Sequence, residues 1–169
     1  MCGIVGVVHR GQQRLASLVV TMRDTLSHRG PDDAGVQVWP EHRVGFGHRR
    51  LSIIDLSPSG HQPMSNEDDT VWIVFNGEIY NFKALRRELK QLGHTFRSNT
   101  DTEVIIHAYE QWGDAHIHRL RGMFAYALYD RRSEIACDGT KTYARYRLML
   151  VRDRLGIKPL FYHWDGHTF

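Results

Sequence analysis

The second residue of this chain is a cysteine, in the run Met1-Cys2-Gly3-Ile4-Val5-Gly6. Removal of Met1 would put a thiol and a free α-amine on one residue. A thiolate is a strong nucleophile, but it needs a base within reach. An α-amine has a pKa near ~8, low enough to exchange a proton near neutral pH. Nucleophile and base would then share one residue, as in enzymes that work with an N-terminal Thr or its relatives. Position alone equally fits a small apolar residue at the start of a strand. Other residues that could serve chemistry are Arg49-Arg50, the carboxylates Asp32-Asp33, Asn76-Gly77-Glu78 and Asp101-Thr102-Glu103. Asp32 and Asp33 follow Gly30-Pro31, where turn formation is the commoner role of such residues.

Composition sets the frame for these groups. The chain has 169 residues, 41% hydrophobic and 24% charged, so one domain with its own core is expected and disorder is not. The net charge is +3, but the basic pairs Arg49-Arg50, Arg86-Arg87 and Arg131-Arg132 are scattered among acids. A solvated surface, without nucleic acid, is the expectation. Two cysteines, Cys2 and Cys137, exclude a disulfide framework or a four-cysteine zinc site, and Cys137 has no assigned role. The eleven histidines show no metal-ligand spacing, so no metal is expected. No stretch approaches the ~20 apolar residues of a membrane span, and the apolar start is too short for a signal peptide. A cytoplasmic protein without membrane contact is the expectation.

The elements that must position the reactive groups follow from periodicity. Residues 3–9 are a β-branched run and predict a buried strand that places Cys2 at its beginning. Residues 12–27 predict a helix with Leu15, Leu18, Val19, Met22 and Leu26 on one core-facing stripe. Residues 35–39 and 43–51 predict two strands. Alternation sends Arg49 and Arg50 to opposite faces, so only one can enter a given pocket. Residues 52–66 form a long loop of the kind that is often functional. Residues 70–75 predict a strand running into Asn76-Gly77, which offers type I′ hairpin chemistry although no alternating strand resumes after it. Residues 82–92 predict an amphipathic helix closed by Gly93. Thr100 and Glu103 fit a capping box for a helix reaching Trp112. Strands follow at 122–130, at 134–136 paired with it, at 147–151 and at 160–164, the last opening a short hairpin at Asp165-Gly166. Antiparallel strands in hairpin-length groups, with helices gathered in two places, indicate an α+β fold.

Seven motifs in order carry a resemblance: Met1 to Gly6; Arg29-Gly30-Pro31-Asp32-Asp33; Gly47-His48-Arg49-Arg50-Leu51-Ser52-Ile53-Ile54-Asp55; Phe75-Asn76-Gly77-Glu78-Ile79-Tyr80-Asn81; Ser98-Asn99-Thr100-Asp101-Thr102-Glu103; Gly122-Met123-Phe124-Ala125; and Arg152-Asp153-Arg154-Leu155-Gly156-Ile157-Lys158-Pro159. Together they resemble the glutaminase domain of the glutamine-hydrolysing asparagine synthetases, which are class II glutamine amidotransferases. The resemblance implies an N-terminal-nucleophile hydrolase fold, a four-layer αββα sandwich of two antiparallel sheets. It implies glutamine as substrate and Cys2 as the nucleophile, with its own amine carrying the proton. Asn76 and Gly77 would form the oxyanion hole, Arg50 would bind the α-carboxylate, and Asp101 with Glu78 nearby would bind the α-ammonium. Arg49 is read as structural. The glutaminase domain of another class II amidotransferase, serving a sugar aminotransferase, a purine-pathway transferase or a different adenylating partner, is one alternative; the first two typically place an aromatic residue after the carboxylate-binding Arg, so Leu51 favours the asparagine-synthetase type. A non-catalytic truncated remnant or interaction module is the other alternative.

The chain departs from the family in two places. Residues 137–146 look like extra sequence that lengthens a hairpin. The end at Phe169 implies a domain incomplete at its C-terminus, with an open sheet edge. The Ser-Gly-Gly-x-Asp-Ser signature of an ATP-dependent synthetase domain is absent. ATP and Mg are therefore expected only for a synthetase domain or subunit elsewhere. Whether the chain is a truncated reading frame, a split subunit or a cut piece, and whether it forms a homodimer, stay open.

Overall fold

A computed structural model describes residues 1–9, 14–138 and 141–169, and the side chains of 133–138 and 141–145 lie outside that description. The elements are β1 (Gly3–Val8), α1 (Leu15–Asp24), β2 (Asp33–Trp39), β3 (Val44–Arg50), β4 (Met64–Ser65), β5 (Val71–Ile79), α2 (Phe82–Gln91), α3 (Thr102–Trp112), α4 (His116–Arg119), β6 (Gly122–Asp138) and β7 (Lys141–Arg152). They build two antiparallel sheets, ordered β1-β3-β2 and β4-β5-β6-β7.

Three apolar clusters stack the layers. Val5 and Val7 of β1 pack under Val19 of α1, which is fully buried. Trp39, Val44 and Phe46 of the first sheet meet Val74, Ala127 and Tyr129 of the second. On the far side, Ile73, Phe75 and Leu128 pack against Leu85, Leu89, Ile105 and Ala108 of α2 and α3. The order is helix, sheet, sheet, helices, the expected four-layer αββα sandwich. Period-two alternation produces it: along β5, Val71, Ile73 and Phe75 face the helices while Val74 faces the opposite sheet. α2 ends as expected, with Gly93 at φ 99° and the backbone bonds His94 N to Leu89 O (3.0 Å) and Gly93 N to Lys90 O (3.2 Å) of a Schellman cap.

Several expectations are corrected. β5 does not turn at Asn76-Gly77 but runs through it, with Asn76 opposite Ala125 and Gly77 opposite Phe124. The cross-strand partner overrides the local turn preference. Residues 134–136 are not a strand paired with β6; they continue β6 past a register shift after Asp130 and pair with β7. That longer ladder fits the expected hairpin extension, while the role of Cys137 and part of the 138–142 turn lie outside the described residues. α1 starts at Leu15, and residues 12 and 13 of the expected helix also lie outside them. Leu18 and Met22 are 38% exposed rather than core, because Val19 and Leu15 already fill the face on the sheet. Residues 160–164 form no strand: among the described residues they have no ladder partner, and Phe161 is 91% exposed. The return segment instead bonds the end of β1, Phe169 N to Val8 O at 2.8 Å and Val8 N to Phe169 O at 2.8 Å. No described helix is long and apolar enough to cross a membrane.

Candidate active site

Antiparallel pairing brings the start of β1 beside the end of β3, with Gly3 opposite Arg49. Cys2 therefore sits next to the residues that follow β3. The Leu51 N–H points at its Sγ from 3.4 Å, and Sγ lies 3.8 Å from the Leu51 carbonyl. The Arg29 Nε donates to the Cys2 carbonyl at 3.2 Å, fixing the backbone behind the thiol. Cys2 is half-buried, so its thiol can be reached from the cleft.

The alternation along β3 separates the two arginines as expected. Arg49 turns outward, donating to Gly30 O at 3.0 Å. Arg50 turns inward and is buried. Its NH1 donates to Ser57 O at 2.9 Å and its NH2 to Asp55 O, so the 52–66 loop wraps the guanidinium. A side chain at Gly60 would overlap the Arg50 NH2, so glycine is needed for that close wrap. Two hydrogen bonds leave other guanidinium donors for a carboxylate.

The second sheet supplies the opposite wall. Asn76 and Glu78 alternate with Phe75 and so face away from the helices, and Asn76 is buried. At Gly77 a Cβ would overlap Met123 O and come within 2.7 Å of Phe124 Cα, so only glycine lets β5 and β6 approach this closely. His48 of β3 bridges the sheets with its Nε2 donating to Phe75 O at 3.1 Å. Burial pushes this imidazole down to about 4, so it is neutral near pH 7 and holds the walls in register without adding charge.

Asp101 stands at the N-terminus of α3 but does not cap it. Its Oδ2 accepts from Ile79 N at 2.9 Å, which ties the helix to the end of β5. Burial, with the Glu78 charge adding to it, pushes this carboxyl up to about 6, against the Ile79 N–H that favours the anion. The expected capping box is half formed. Thr100 Oγ1 accepts from Glu103 N at 3.4 Å, but the Glu103 carboxylate reaches past Thr100 to Arg97 N (2.7 Å), Ser98 N (2.8 Å) and Ser98 Oγ (2.7 Å). It shapes the turn in front of Asp101. The backbone of that turn is joined to the loop around Arg50 by Asn99 N donating to Asp55 Oδ2 at 3.0 Å.

Cys2, Arg50, Asn76, Gly77, Glu78 and Asp101, all six residues singled out from the sequence, line one cleft of about 140 Å³. A thiol stands at one end, an inward guanidinium and two carboxylates stand around it, and an amide side chain faces the space between. That set can hold a small zwitterion and present it to a nucleophile. Asp32 and Asp33 are not part of it. Asp32 accepts from Ser52 N at 2.8 Å and Asp33 from His61 Nδ1 at 2.7 Å, so both anchor the loop. Among the lining residues that sequence reasoning did not assign to the site, two are charged, Asp55 and Lys158. Asp55 straps the Arg50 loop to the 97–101 turn, and the Asp-x-Ser-Pro pattern that starts a turn was its only signal. Lys158 enters from beyond β7, and nothing local marks it as inward-facing.

A second polar cluster lies on α3. His107 Nδ1 donates to Glu110 Oε2 at 2.9 Å, and its Nε2 is 3.7 Å from both Glu67 and Glu103. His94 completes a group of three ligand-type residues with His107 and Glu110. Burial alone would lower His107, but the nearby Glu103 carboxylate and the hydrogen-bonded Glu110 outweigh it and raise it to about 9. With its proton on, the imidazole pairs with the carboxylates around it, and the cluster is an ion network.

Comparison with known proteins gives the family and the fold. The family model described as glutamine amidotransferase domain matches residues 1–169. "Asparagine synthetase [glutamine-hydrolyzing] 3" of Bacillus subtilis is 42% identical over 173 residues, covering 100% of this chain and 26% of that protein. A "putative asparagine synthetase [glutamine-hydrolyzing] 2" of Methanocaldococcus jannaschii is 35% identical over 185 residues, covering 100% of this chain and 33% of that protein. The chain thus spans about a quarter to a third of the length of these relatives. Among solved structures, the glutamine phosphoribosylpyrophosphate amidotransferase of B. subtilis matches with a TM-score of 0.72 over 98% of this chain and 40% of that one. At 17% identity that match speaks for the fold alone. The chain belongs to the glutamine amidotransferase domain family.

Proposed function

We propose that this chain, once Met1 is removed, hydrolyses the side-chain amide of glutamine to glutamate and ammonia through a γ-glutamyl thioester on Cys2. The observation that carries the reading is the single cleft that joins Cys2 to Arg50, Asn76, Gly77, Glu78 and Asp101. The Cys2 α-amine takes the thiol proton as sulfur attacks the amide carbon. The developing oxyanion is received by the Asn76 side-chain amide and the Gly77 N–H, a donor pair of the kind worth roughly 10²–10³ in rate for each member. The proton then passes from the α-ammonium to the leaving nitrogen, the C–N bond breaks and ammonia departs. Water, deprotonated by the same amine, cleaves the thioester. Arg50 holds the α-carboxylate, and Asp101 with Glu78 holds the α-ammonium. Both charges are then paired inside the cleft, which matters because a stranded buried charge costs ~2–5 kcal/mol.

The ammonia is consumed, in this reading, by an ATP- and Mg-dependent synthetase domain that forms asparagine, as the names of the B. subtilis and M. jannaschii relatives suggest. The protein would act in the cytoplasm. The test is intact-mass analysis with a diazo-ketone analogue of glutamine. Loss of Met1 and one adduct on Cys2 are expected, and Cys2→Ala is expected to abolish ammonia release while the fold survives. Retained Met1, labelling of Cys137 in place of Cys2, or an active Cys2→Ala protein would overturn the reading.

A further inference from the structure

Lys158 is a buried cation that the reaction as described leaves unused. It is 5% exposed and lines the same cleft as Cys2. Among the described residues its Nζ has one polar partner, the Met1 thioether sulfur at 3.2 Å, and no carboxylate within ion-pair reach. A thioether is a weak acceptor, and a buried ammonium without an anion is expensive. The surrounding loop is nevertheless built to hold it there. The Asp153 carboxylate accepts from Phe124 N (3.1 Å), Leu155 N (3.1 Å), Ile157 N (2.9 Å) and Lys158 N (2.9 Å). Arg152 donates to Lys158 O at 2.7 Å and to Gly156 O at 2.6 Å. Both backbone groups of Lys158 are therefore fixed, and its side chain is aimed at the residue whose removal creates the new N-terminus.

We propose that Lys158 is a positioning residue for the reaction, its ammonium holding the α-amine of processed Cys2 as the free base that receives the thiol proton. The inference rests on the glutaminase reading above. With Met1 gone, an ammonium in the cleft that Cys2 also lines would disfavour the protonated amine, and the same charge would favour the thiolate. After the thiol proton has moved to the amine, repulsion between the two cations urges it on to the leaving nitrogen, so no further proton carrier is needed. The other charged groups around the N-terminus are Arg50, Asp55, Glu78 and Asp101 in the cleft, and Arg29 on the Cys2 carbonyl. Arg50 gives two of its donors to loop carbonyls and keeps the others for the substrate carboxylate, and Asp101 accepts from Ile79 N beside the place of the substrate ammonium.

The experiment compares kcat/KM against pH for the Met1-processed wild type, Lys158→Met, Lys158→Gln and Lys158→Arg. The two neutral variants remove a buried charge and keep side-chain length, so folding should survive, and circular dichroism checks it. The acid limb of the profile is expected to move up by about one pH unit in both neutral variants. That gives about a tenfold loss on the acid limb that is recovered in alkali, while Lys158→Arg keeps the wild-type limb. A purely structural lysine would lower thermal stability or scale activity evenly at every pH. An acid limb unchanged in both neutral variants, with an active wild type, overturns the role of Lys158 alone. An inactive wild type that retains Met1 overturns the glutaminase reading and this inference with it.

Discussion

Asp101→Asn should make the protein more stable near pH 8 while making it a poorer glutaminase. The carboxyl is 5% exposed and is raised from 3.8 to about 6, mainly by burial. Its folded value exceeds its unfolded one, so the folded state retains a proton that the unfolded chain has already lost. This group's contribution to stability is then highest below about pH 4, falls as pH rises toward 6, and stays low above that. Between 3.8 and about 6 the cost of the anion amounts to about 3 kcal/mol. An amide avoids that cost and still offers an oxygen to Ile79 N–H. Denaturant melts at pH 8 should show a gain of about 1–3 kcal/mol, with ~2–4 °C in Tm for each kcal/mol. At pH 4.5 the gain should shrink to a fraction of that. KM for glutamine should rise in the variant, because the substrate ammonium loses the anion it would ionise. For the same reason, the wild-type KM should rise as pH falls below about 6. A variant less stable than wild type at pH 8 would mean that the carboxylate is a structural tie to β5 rather than a strained binding group.

Two further outcomes follow from backbone packing and from the ion network. Gly77→Ala forces a Cβ onto Met123 O and Phe124 Cα, both backbone, so β5 and β6 must part; a loss of about 2 kcal/mol or more in urea melts is expected, with ammonia release falling over ~100-fold. His107→Leu leaves Glu103 without its imidazolium and should cost on the order of 3 kcal/mol. Its folded value of about 9 lies above the unfolded one, so the wild-type advantage is full below pH 6.5 and disappears as pH rises through about 9. An equal gap between the two proteins at pH 6 and pH 10 would count against the charged His107.

The sequence made the fold's layers legible where apolar alternation was strong. Val71, Ile73 and Phe75 against Val74 announce a two-sided strand, and both sides proved buried. It misled where a local preference competes with a distant partner. Asn76-Gly77 has the chemistry of a tight turn, yet the strand runs on because β6 pairs with it residue for residue. The 160–164 segment has the composition of a strand but no neighbour to pair with among the described residues, and composition cannot supply one. The six site residues were found through the order of their motifs. Alternation required Arg49 and Arg50 to part, but only the motif named Arg50 as the inward one. Lys158 stayed hidden because its inward direction depends on Asp153 gathering four backbone N–H groups, a long-range arrangement that no spacing reveals.

The position of Cys2, the proposed nucleophile, follows from the topology. A residue ahead of an edge strand would ordinarily be loose, yet here β1 enters antiparallel to β3, so its first residues meet the end of the strand that carries Arg50. β5 of the facing sheet runs past the same rim, bringing Asn76, Gly77 and Glu78, and α3 begins there with Asp101. Three strands and a helix from two sheets thus reach one rim, and the ties between them are short polar ones: His48 to Phe75, Asp101 to Ile79, Asn99 to Asp55. Each tie crosses from one wall to another and none uses the thiol. The thiol keeps only backbone contacts at Leu51, so attack on a substrate disturbs no side-chain bond that holds the walls together.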